Sequence, residues 1–330
     1  MAVKIAIIGA EGHWETALSA KGQAEYAAFC CPEEQREKME AAFARAGIGP
    51  PVYFGNWRSM LQKICPQVVV VDGPFHRHAA MAAKALARGM HVFCEKPLAF
   101  NLEQLALLQK AAEASGAALW GMHTMRFYPW AYTVKRLIQS GEIGRVRLIQ
   151  LQKSYKLGSR PAFYRERQLY GGTLPWVGVH EIDLIRFLYA GAFTEVYAHQ
   201  SAVGNGGLGS LEATAQCQFV LAGGVCASLS VDYLRPATAP SHEDDRLRVV
   251  GTLGVAEARG GRVFLSNAKN NEREPLLLCA APDIFQSFLK YALEGKKGLL
   301  TTRECLEACA VSLLARCSAD EKRAVEIVYP

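Results

Sequence analysis

The sequence lacks a long apolar segment, a closely paired cysteine motif and a block of basic residues, and each absence excludes a class of protein. No apolar run in the 330 residues reaches the roughly 18 residues of a membrane-spanning helix. Ten cysteines occur without any C-x-x-C, and the pair Cys305 and Cys309 has no nearby histidine, so we expect neither disulfides nor a metal site. The net charge of +6 comes from basic residues dispersed among acidic ones, which does not favour nucleic-acid binding. The opening MAVKIAIIGA reads as a strand and a glycine turn rather than a secretion signal, which predicts a cytoplasmic protein.

Short apolar runs alternate with helical segments over residues 1–122. The strand candidates are residues 3–8, 26–31, 68–71, 91–94 and 117–122, and the helix candidates are residues 33–46, 76–88 and 102–114. Asn101, with Gln104 three residues later, predicts the start of the third helix. Apolar strands separated by helices are typical of a parallel sheet that is covered on both faces. We therefore predict an N-terminal, doubly wound Rossmann domain over residues 1–122.

The pattern changes in the second part of the chain, residues 123–330. Residues 145–156 form a strand candidate, and alternating apolar and polar residues on both sides of Gly223-Gly224 predict a β-hairpin. Helices are expected over residues 282–293 and 302–315, the latter capped by Thr301 with Glu304. We predict an α+β substrate-binding domain with an open, mostly antiparallel sheet. Its second, mildly polar face predicts either solvent exposure or a homo-oligomer interface, as in a dimer or tetramer.

A glycine turn follows the first strand, where a dinucleotide pyrophosphate binds in Rossmann domains. The G-x-G-x-x-G pattern is incomplete, because Glu11 and Trp14 occupy positions of glycine or a small residue. The alternative is an ordinary strand-to-helix turn that needs glycine for its geometry. The predicted cofactor contacts in this turn are Gly9, Ala10, Glu11, Gly12 and His13.

Two further strand ends carry candidate cofactor residues. The second strand ends at Cys31, where an acidic residue would bind the ribose hydroxyls, although Glu33 lies close by. Arg36 would favour a 2′-phosphate, so both NAD and NADP stay open. The fourth strand candidate ends in Glu95 and Lys96, whose charges would project into the ligand crevice unless they form only a surface ion pair.

Four motifs together resemble the Gfo/Idh/MocA oxidoreductases, a family that includes glucose-fructose oxidoreductase and inositol dehydrogenase. They are DGPFHRH at residues 72–78, HVFCEKPLAFNLEQL at 91–105, MRFYP at 125–129, and a Gly171-Gly172 pair followed by GVHEIDL at 178–184. Their order and spacing over nearly the whole chain carry the resemblance. It implies a nicotinamide enzyme that interconverts a secondary alcohol and a carbonyl on a small sugar-, polyol- or ring-like substrate.

The resemblance also implies roles for individual residues. Lys96 would lie beside the nicotinamide and stabilise alkoxide charge, and His180 would be the acid/base group. Pro74 and His78 belong to the cofactor-side motif, and Arg126 to the segment that opens the substrate domain. A family aspartate is replaced by Trp176, one helical turn before His180, and an indole cannot accept a proton.

Residues 156–170 form a loop that either lines the substrate pocket, through Tyr164, or is simply solvated. The leading interpretation is an NAD(P)-dependent dehydrogenase or reductase. The alternative is a non-catalytic nucleotide- or sugar-binding sensor that keeps the fold. A metal hydrolase built on His180, Glu181 and Asp183 is disfavoured, because these positions do not converge on one ion along a helix.

Overall fold

The computed structural model describes residues 2–271 and 274–329. The chain forms two compact units. The first contains the chain up to Met122 together with Pro282–Leu306, and the second contains His123–Ala281 together with the chain from Glu307 onward.

The first unit is built on a six-stranded parallel sheet. Its strands are β1 (Val3–Ile8), β2 (Ala24–Cys30), β3 (Val52–Phe54), β4 (Val68–Val71), β5 (His91–Cys94) and β6 (Leu119–Gly121). Their order is β3-β2-β1-β4-β5-β6, which is the Rossmann order and confirms the predicted fold class. The four valines of β4 are fully buried, as expected for a central strand with both faces covered.

Helices connect these strands, and two elements of the first unit were not predicted. The helices are α1 (Glu33–Arg45), α2 (Trp57–Ile64), α3 (His78–Leu86) and α4 (Leu102–Ser115). The missed elements are β3 and α2, which are short, although Asn56 caps α2 by accepting from the Arg58 and Ser59 amides at 2.9 and 3.1 Å. The connection after β1 is a 3₁₀ helix of seven residues, Trp14–Ala20, and not a full α-helix.

The second unit contains an eight-stranded sheet and its covering helices. The elements are α5 (Pro129–Gln139), β7 (Val146–Lys156), α6 (Arg167–Tyr170), α7 (Val179–Leu188), β8 (Phe193–Ser201), β9 (Thr214–Leu221), β10 (Val225–Arg235), β11 (Glu243–Gly251), β12 (Gly254–Arg259) and β13 (Arg262–Asn267). The chain then forms α8 (Ile284–Glu294), α9 (Thr302–Glu321) and β14 (Val325–Glu326). The sheet order is β13-β12-β11-β7-β10-β9-β8-β14. β7 and β10 pair in parallel, and the other neighbouring strands of the described chain pair antiparallel, as predicted.

The β9–β10 hairpin and two helix caps confirm local predictions. Cys217 lies opposite Leu229 in the antiparallel pair. The amide of Gln104 donates to Asn101 Oδ1 at 2.8 Å, and that of Glu304 donates to Thr301 Oγ1 at 3.2 Å. Each hydroxyl or amide oxygen therefore satisfies a backbone donor that the first turn of a helix leaves free.

The segment Pro282–Leu306 differs from the predicted division at residue 122, because it packs within the first unit. Two phenylalanines of α8 lie against its sheet. The Phe93 ring is 5.1 Å from Phe285 and 5.3 Å from Phe288, and the Trp120 ring is 5.6 Å from Phe288. Burial of these aromatic faces stabilises the packing of α8 within the first unit. In the part of the chain described, no helix has both the length and the apolar character to cross a membrane.

Candidate functional site

The turn after β1 requires glycine at position 9 and leaves little space for a side chain at position 12. Gly9 has a φ of +84°, and a Cβ there would lie 2.3 Å from the carbonyl oxygen of Asp72. A Cβ at Gly12 would lie 2.9 Å from Asp72 Oδ1 and 2.9 Å from the Glu95 side chain. Both glycines therefore let the turn pack directly against the ends of β4 and β5, where Rossmann domains bind their ligands.

A buried carboxylate, Asp72, organises this turn and was not predicted as a site residue. Its Oδ2 accepts hydrogen bonds from the amides of Gly12 at 3.0 Å and Trp14 at 2.9 Å. Burial and the nearby charge of Glu95 raise the pKa of Asp72 well above its usual value. The available signal was its position, directly after four buried valines at the carboxyl end of a parallel strand.

The two charges predicted at the end of β5 form a buried ion pair. Lys96 Nζ lies 2.8 Å from Glu95 Oε1, and the same oxygen lies 3.2 Å from His13 Nδ1. Burial alone would raise the pKa of Glu95, but the charges of Lys96 and His13 lower it to about 2. With Glu95 fully buried and Lys96 only 4% exposed, the pair is not a solvated surface contact. The Glu95 carboxylate fixes the Lys96 ammonium at the carboxyl end of β5.

Two candidate cofactor residues near the end of β2, Cys31 and Glu33, differ in charge and exposure, and a third candidate, Glu11, points toward the next helix. Cys31 is buried, and burial together with Glu33 raises the pKa of its thiol to about 11, so the thiol is protonated at neutral pH. The Glu33 side chain is exposed and lies 3.4 Å from Arg36. The carboxylate of Glu11 accepts a hydrogen bond from Gln35 Nε2 at 2.8 Å, which directs it toward α1.

Pro74 and His78 belong to the connection between β4 and α3. Pro74 precedes a 3₁₀ turn, and His78 is fully buried. The imidazole lies between two carbonyl oxygens, with Nε2 2.8 Å from Gly73 O and Nδ1 3.0 Å from Pro97 O, and burial lowers its pKa. Its ring therefore lies between the turn after β4 and the turn after β5, and a cofactor contact of His78 stays a prediction.

The turn has features that suit a dinucleotide pyrophosphate. Gly12 and His13 are exposed, and the missing side chain at Gly12 leaves backbone surface that a Cβ would cover. The close approach of backbone to phosphate requires such a glycine. Asp72 already accepts from two amides of the turn, so fewer donors stay available than in a complete G-x-G-x-x-G turn.

In the second unit, a π-helical turn over Leu174–Gly178 leads into α7. It carries Trp176, which is 8% exposed, and is followed by His180, which is 6% exposed. Turns of this kind occur often at functional sites, because they alter the direction of side chains within a helix. Because the turn is π-helical, α-helical spacing does not predict whether Trp176 and His180 lie on the same face.

Arg126 forms a buried ion pair within the second unit. Its Nε donates to Asp183 Oδ2 at 2.8 Å, and His123 Nδ1 lies 3.2 Å from Asp183 Oδ1. All three side chains are essentially buried. Burial would raise the pKa of Asp183, but Arg126 and His123 lower it below its usual value. The guanidinium therefore anchors α7 within the second unit, and a substrate contact of Arg126 stays a prediction.

Glu181 lies between His180 and Asp183 in sequence. It is fully buried, and neither carboxylate oxygen has a hydrogen-bond partner among the described residues. Burial raises its pKa well above the usual value. No cluster of three or more His, Cys, Asp or Glu side chains suited to a metal ion occurs in residues 2–271 or 274–329.

Tyr164, the predicted rim residue, packs into an aromatic cluster around Trp176. The ring centroids of these two residues lie 4.7 Å apart, and the Trp176 and Tyr233 centroids lie 6.2 Å apart. Tyr164 is 6% exposed. The loop from β7 to α6 is therefore ordered by aromatic packing rather than solvated throughout.

Comparison with known proteins agrees with this architecture. Residues 3–123 match an oxidoreductase family with an NAD-binding Rossmann fold, and residues 132–257 match the GFO/IDH/MocA C-terminal domain. A solved Thermotoga maritima protein, named only as an oxidoreductase, is 38% identical over 98% of this chain and 100% of that chain, with a TM-score of 0.94. A levoglucosan dehydrogenase solved with NADH and L-sorbose has a TM-score of 0.82 over 99% of both chains, but its 18% identity supports only the fold.

Curated relatives are matched over part of their length. Inositol 2-dehydrogenase of Burkholderia lata is 31% identical over 159 residues, which are 48% of this chain and 44% of that protein. An uncharacterized oxidoreductase of Bacillus subtilis is 28% identical over 63% of this chain and 59% of its own length. The chain thus spans about half the length of the curated relatives it matches. With both domains matched in order, the chain belongs to the GFO/IDH/MocA family of oxidoreductases, as its motifs predicted.

Proposed function

We propose that this protein is an NAD(P)-dependent dehydrogenase or reductase that interconverts a secondary alcohol and a carbonyl on a small sugar-, polyol- or ring-like substrate. The buried Glu95–Lys96 pair at the carboxyl end of β5 carries this proposal, with Nζ 2.8 Å from Oε1. A buried, carboxylate-fixed ammonium next to a glycine turn suits stabilisation of developing negative charge on oxygen. The inositol 2-dehydrogenase named above supports the substrate class.

When bound, the nicotinamide would supply the hydride acceptor or donor. Lys96 would donate a hydrogen bond to the reacting oxygen and stabilise it as alkoxide, and Glu95 would hold the ammonium in one position. His180 would accept the hydroxyl proton on oxidation and return it on reduction, because its ordinary pKa lies close to neutrality. Trp176 and Tyr164 would present ring faces to the substrate, and Trp176 would take no proton.

The dinucleotide contacts that we propose lie in the turn after β1 and at the neighbouring strand ends. The residues are Gly9, Ala10, Glu11, Gly12, His13, Cys31, Glu33, Pro74, Glu95 and Lys96. A protonated Cys31 thiol in place of a carboxylate gives no charge-based preference between NAD and NADP. His78 is proposed as a positioning residue that holds Gly73 and Pro97 together.

Titration with NADH and NADPH, followed through the fluorescence of the reduced nicotinamide, tests the cofactor directly. Lys96→Met should leave NADH affinity within a few-fold of the wild type and lower kcat by roughly 10²- to 10³-fold. Lys110→Met, an exposed change on α4, is the matched control and should do neither. If neither nucleotide binds at sub-millimolar concentration, the dehydrogenase proposal is wrong.

A non-catalytic nucleotide- or sugar-binding sensor is the second candidate. It is favoured by Trp176, which stands where the family aspartate is expected, and by Asp72, which already accepts from the Gly12 and Trp14 amides. A sensor would bind the nucleotide without turning over any substrate. Lys96→Met would then leave the nucleotide affinity unchanged, and both proteins would lack turnover.

We further propose a cytoplasmic homo-oligomer, formed through the polar face of the eight-stranded sheet. Glutamine and serine side chains line a shallow depression of about 480 Å³ on this face. They are Gln150, Gln152, Gln216, Gln218, Ser228 and Ser230. Light scattering at several concentrations should give the mass of a dimer or tetramer, and a monomer mass throughout would contradict this part of the proposal.

A further inference from the structure

The loop between β7 and α6 places an arginine against three aromatic rings. The guanidinium carbon of Arg160 lies 4.9 Å from the ring centroid of Tyr233, 5.6 Å from that of Trp176 and 5.7 Å from that of Tyr164. We call these three rings the aromatic cage. At these distances the ring faces attract the cation electrostatically.

The three rings of the aromatic cage are almost completely buried. Tyr164, Trp176 and Tyr233 are exposed by 6%, 8% and 2%. Tyr155 stacks on the cage residue Tyr233, with their ring centroids 6.0 Å apart. Arg160 itself is only half-buried as a residue.

No carboxylate neutralises Arg160 among the described residues. Its Nε is buried without an acceptor, and Nη2 donates only to the carbonyl oxygen of Lys156 at a long 3.4 Å. Arg167, on the same connection, is paired differently: Nε donates to Glu212 and Nη1 to Asp320, each at 2.8 Å. A guanidinium with a buried donor that has no acceptor is costly unless a ligand completes its hydrogen bonds.

A planar guanidinium with free donors matches the geometry of a carboxylate or phosphate. The cage also includes Trp176, whose turn leads directly into the helix that carries His180. We propose that Arg160 is a specificity-determining residue that binds an oxyanion substituent, carboxylate or phosphate, on the polyhydroxylated substrate, while the cage holds the guanidinium in position. This inference rests on the proposed function for the identity of the reacting alcohol, but not for the binding of the oxyanion.

Calorimetric titration of the full chain with matched probes separates the two proposals, because binding needs no turnover. D-glucuronate and D-glucose 6-phosphate each add one oxyanion to D-glucose, and the D-galacturonate and D-galactose pair tests a second ring. We expect at least one anionic member to bind roughly tenfold or more tightly than its neutral partner. The two anionic arms distinguish carboxylate from phosphate.

Arg160→Met should weaken binding of that anionic probe roughly 10- to 100-fold, with binding of the neutral sugar unchanged. Arg160→Lys should retain part of the preference, because it keeps the charge without the planar fork. Arg165→Met, an exposed neighbour on the same loop, is the control and should leave the preference intact. Equal binding of anionic and neutral probes, or an unchanged preference in Arg160→Met, would overturn the inference. Failure of the proposed dehydrogenase function would appear instead as absent NADH and NADPH binding.

Discussion

Replacement of Glu95 by glutamine should destabilise the first unit, because this carboxylate contacts both Lys96 and His13. The pKa of Glu95 falls from 4.5 to about 2 in the folded protein, and each pKa unit corresponds to about 1.4 kcal/mol. That gives roughly 3 kcal/mol of stabilisation at neutral pH. Part of this stabilisation is recovered at Asp72 in the variant, since the charge of Glu95 is one cause of the raised pKa of Asp72. We therefore expect Glu95→Gln to lower the free energy of unfolding by about 2–3 kcal/mol.

The pH dependence of this loss has a defined sign. A carboxylate with a lowered pKa contributes stability that is complete above its unfolded pKa of 4.5 and disappears as pH falls toward about 2. The difference between wild type and Glu95→Gln should thus be constant near neutral pH and shrink to roughly half or less at pH 3. Thermal denaturation followed by circular dichroism measures it as a Tm difference of about 4–12 °C at pH 7.

Glu37→Gln makes the same chemical change on the exposed surface of α1 and should alter stability by less than about 0.5 kcal/mol. If Glu95→Gln melts like the wild type at pH 7, or if its deficit persists unchanged in acid, the buried ion pair does not have the role described.

Four further changes should each have a measurable effect on stability. Gly9→Ala should prevent folding or cost several kcal/mol, since φ is +84° and the Cβ would lie 2.3 Å from a carbonyl oxygen; native yield and Tm report it, and a stable variant would contradict the packing of the turn. Arg126→Met should cost about 3–5 kcal/mol in urea denaturation, because it leaves the Asp183 carboxylate buried without its main partner; a loss below about 1 kcal/mol would contradict a fully buried pair. Phe288→Ala should cost about 3–5 kcal/mol, since its ring packs on Phe93, and a negligible loss would argue against α8 folding with the first unit. Thr301→Ala removes a helix cap and should cost about 1 kcal/mol, whereas Thr301→Ser should keep most of it.

The sequence predicted those parts of the fold that depend on periodicity and local capping. The runs at β4 and β5 were predicted with their observed bounds, because four or five apolar residues between helices leave little choice of structure. The caps at Asn101 and Thr301 also follow from local chemistry. Strand β3 was missed because three residues are too few to show a period. Helix α2 was missed although it is amphipathic and is capped by Asn56.

The candidate site was predicted less completely, because its geometry depends on long-range contacts. Lys96 and Glu95 were identified from a strand end, but the role of Asp72 depends on amides about 60 residues earlier in the chain. The ion pair of Arg126 was not predicted, since its partner Asp183 lies 57 residues away. The cage around Arg160 could not be predicted, because its rings come from three separate elements.

The central proposal is that this chain catalyses hydride transfer between a nicotinamide and its substrate, with Lys96 and His180 as the catalytic residues. The most direct test follows the near-ultraviolet absorbance of reduced nicotinamide while wild type, Lys96→Met and His180→Ala are each supplied with NAD or NADP and a panel of polyols, sugars and sugar acids. We predict that the wild type reduces the cofactor with at least one member, and that each variant loses roughly 10²-fold or more of that rate. Wild-type rates in both variants, or no reduction with any member despite tight cofactor binding, would contradict the account.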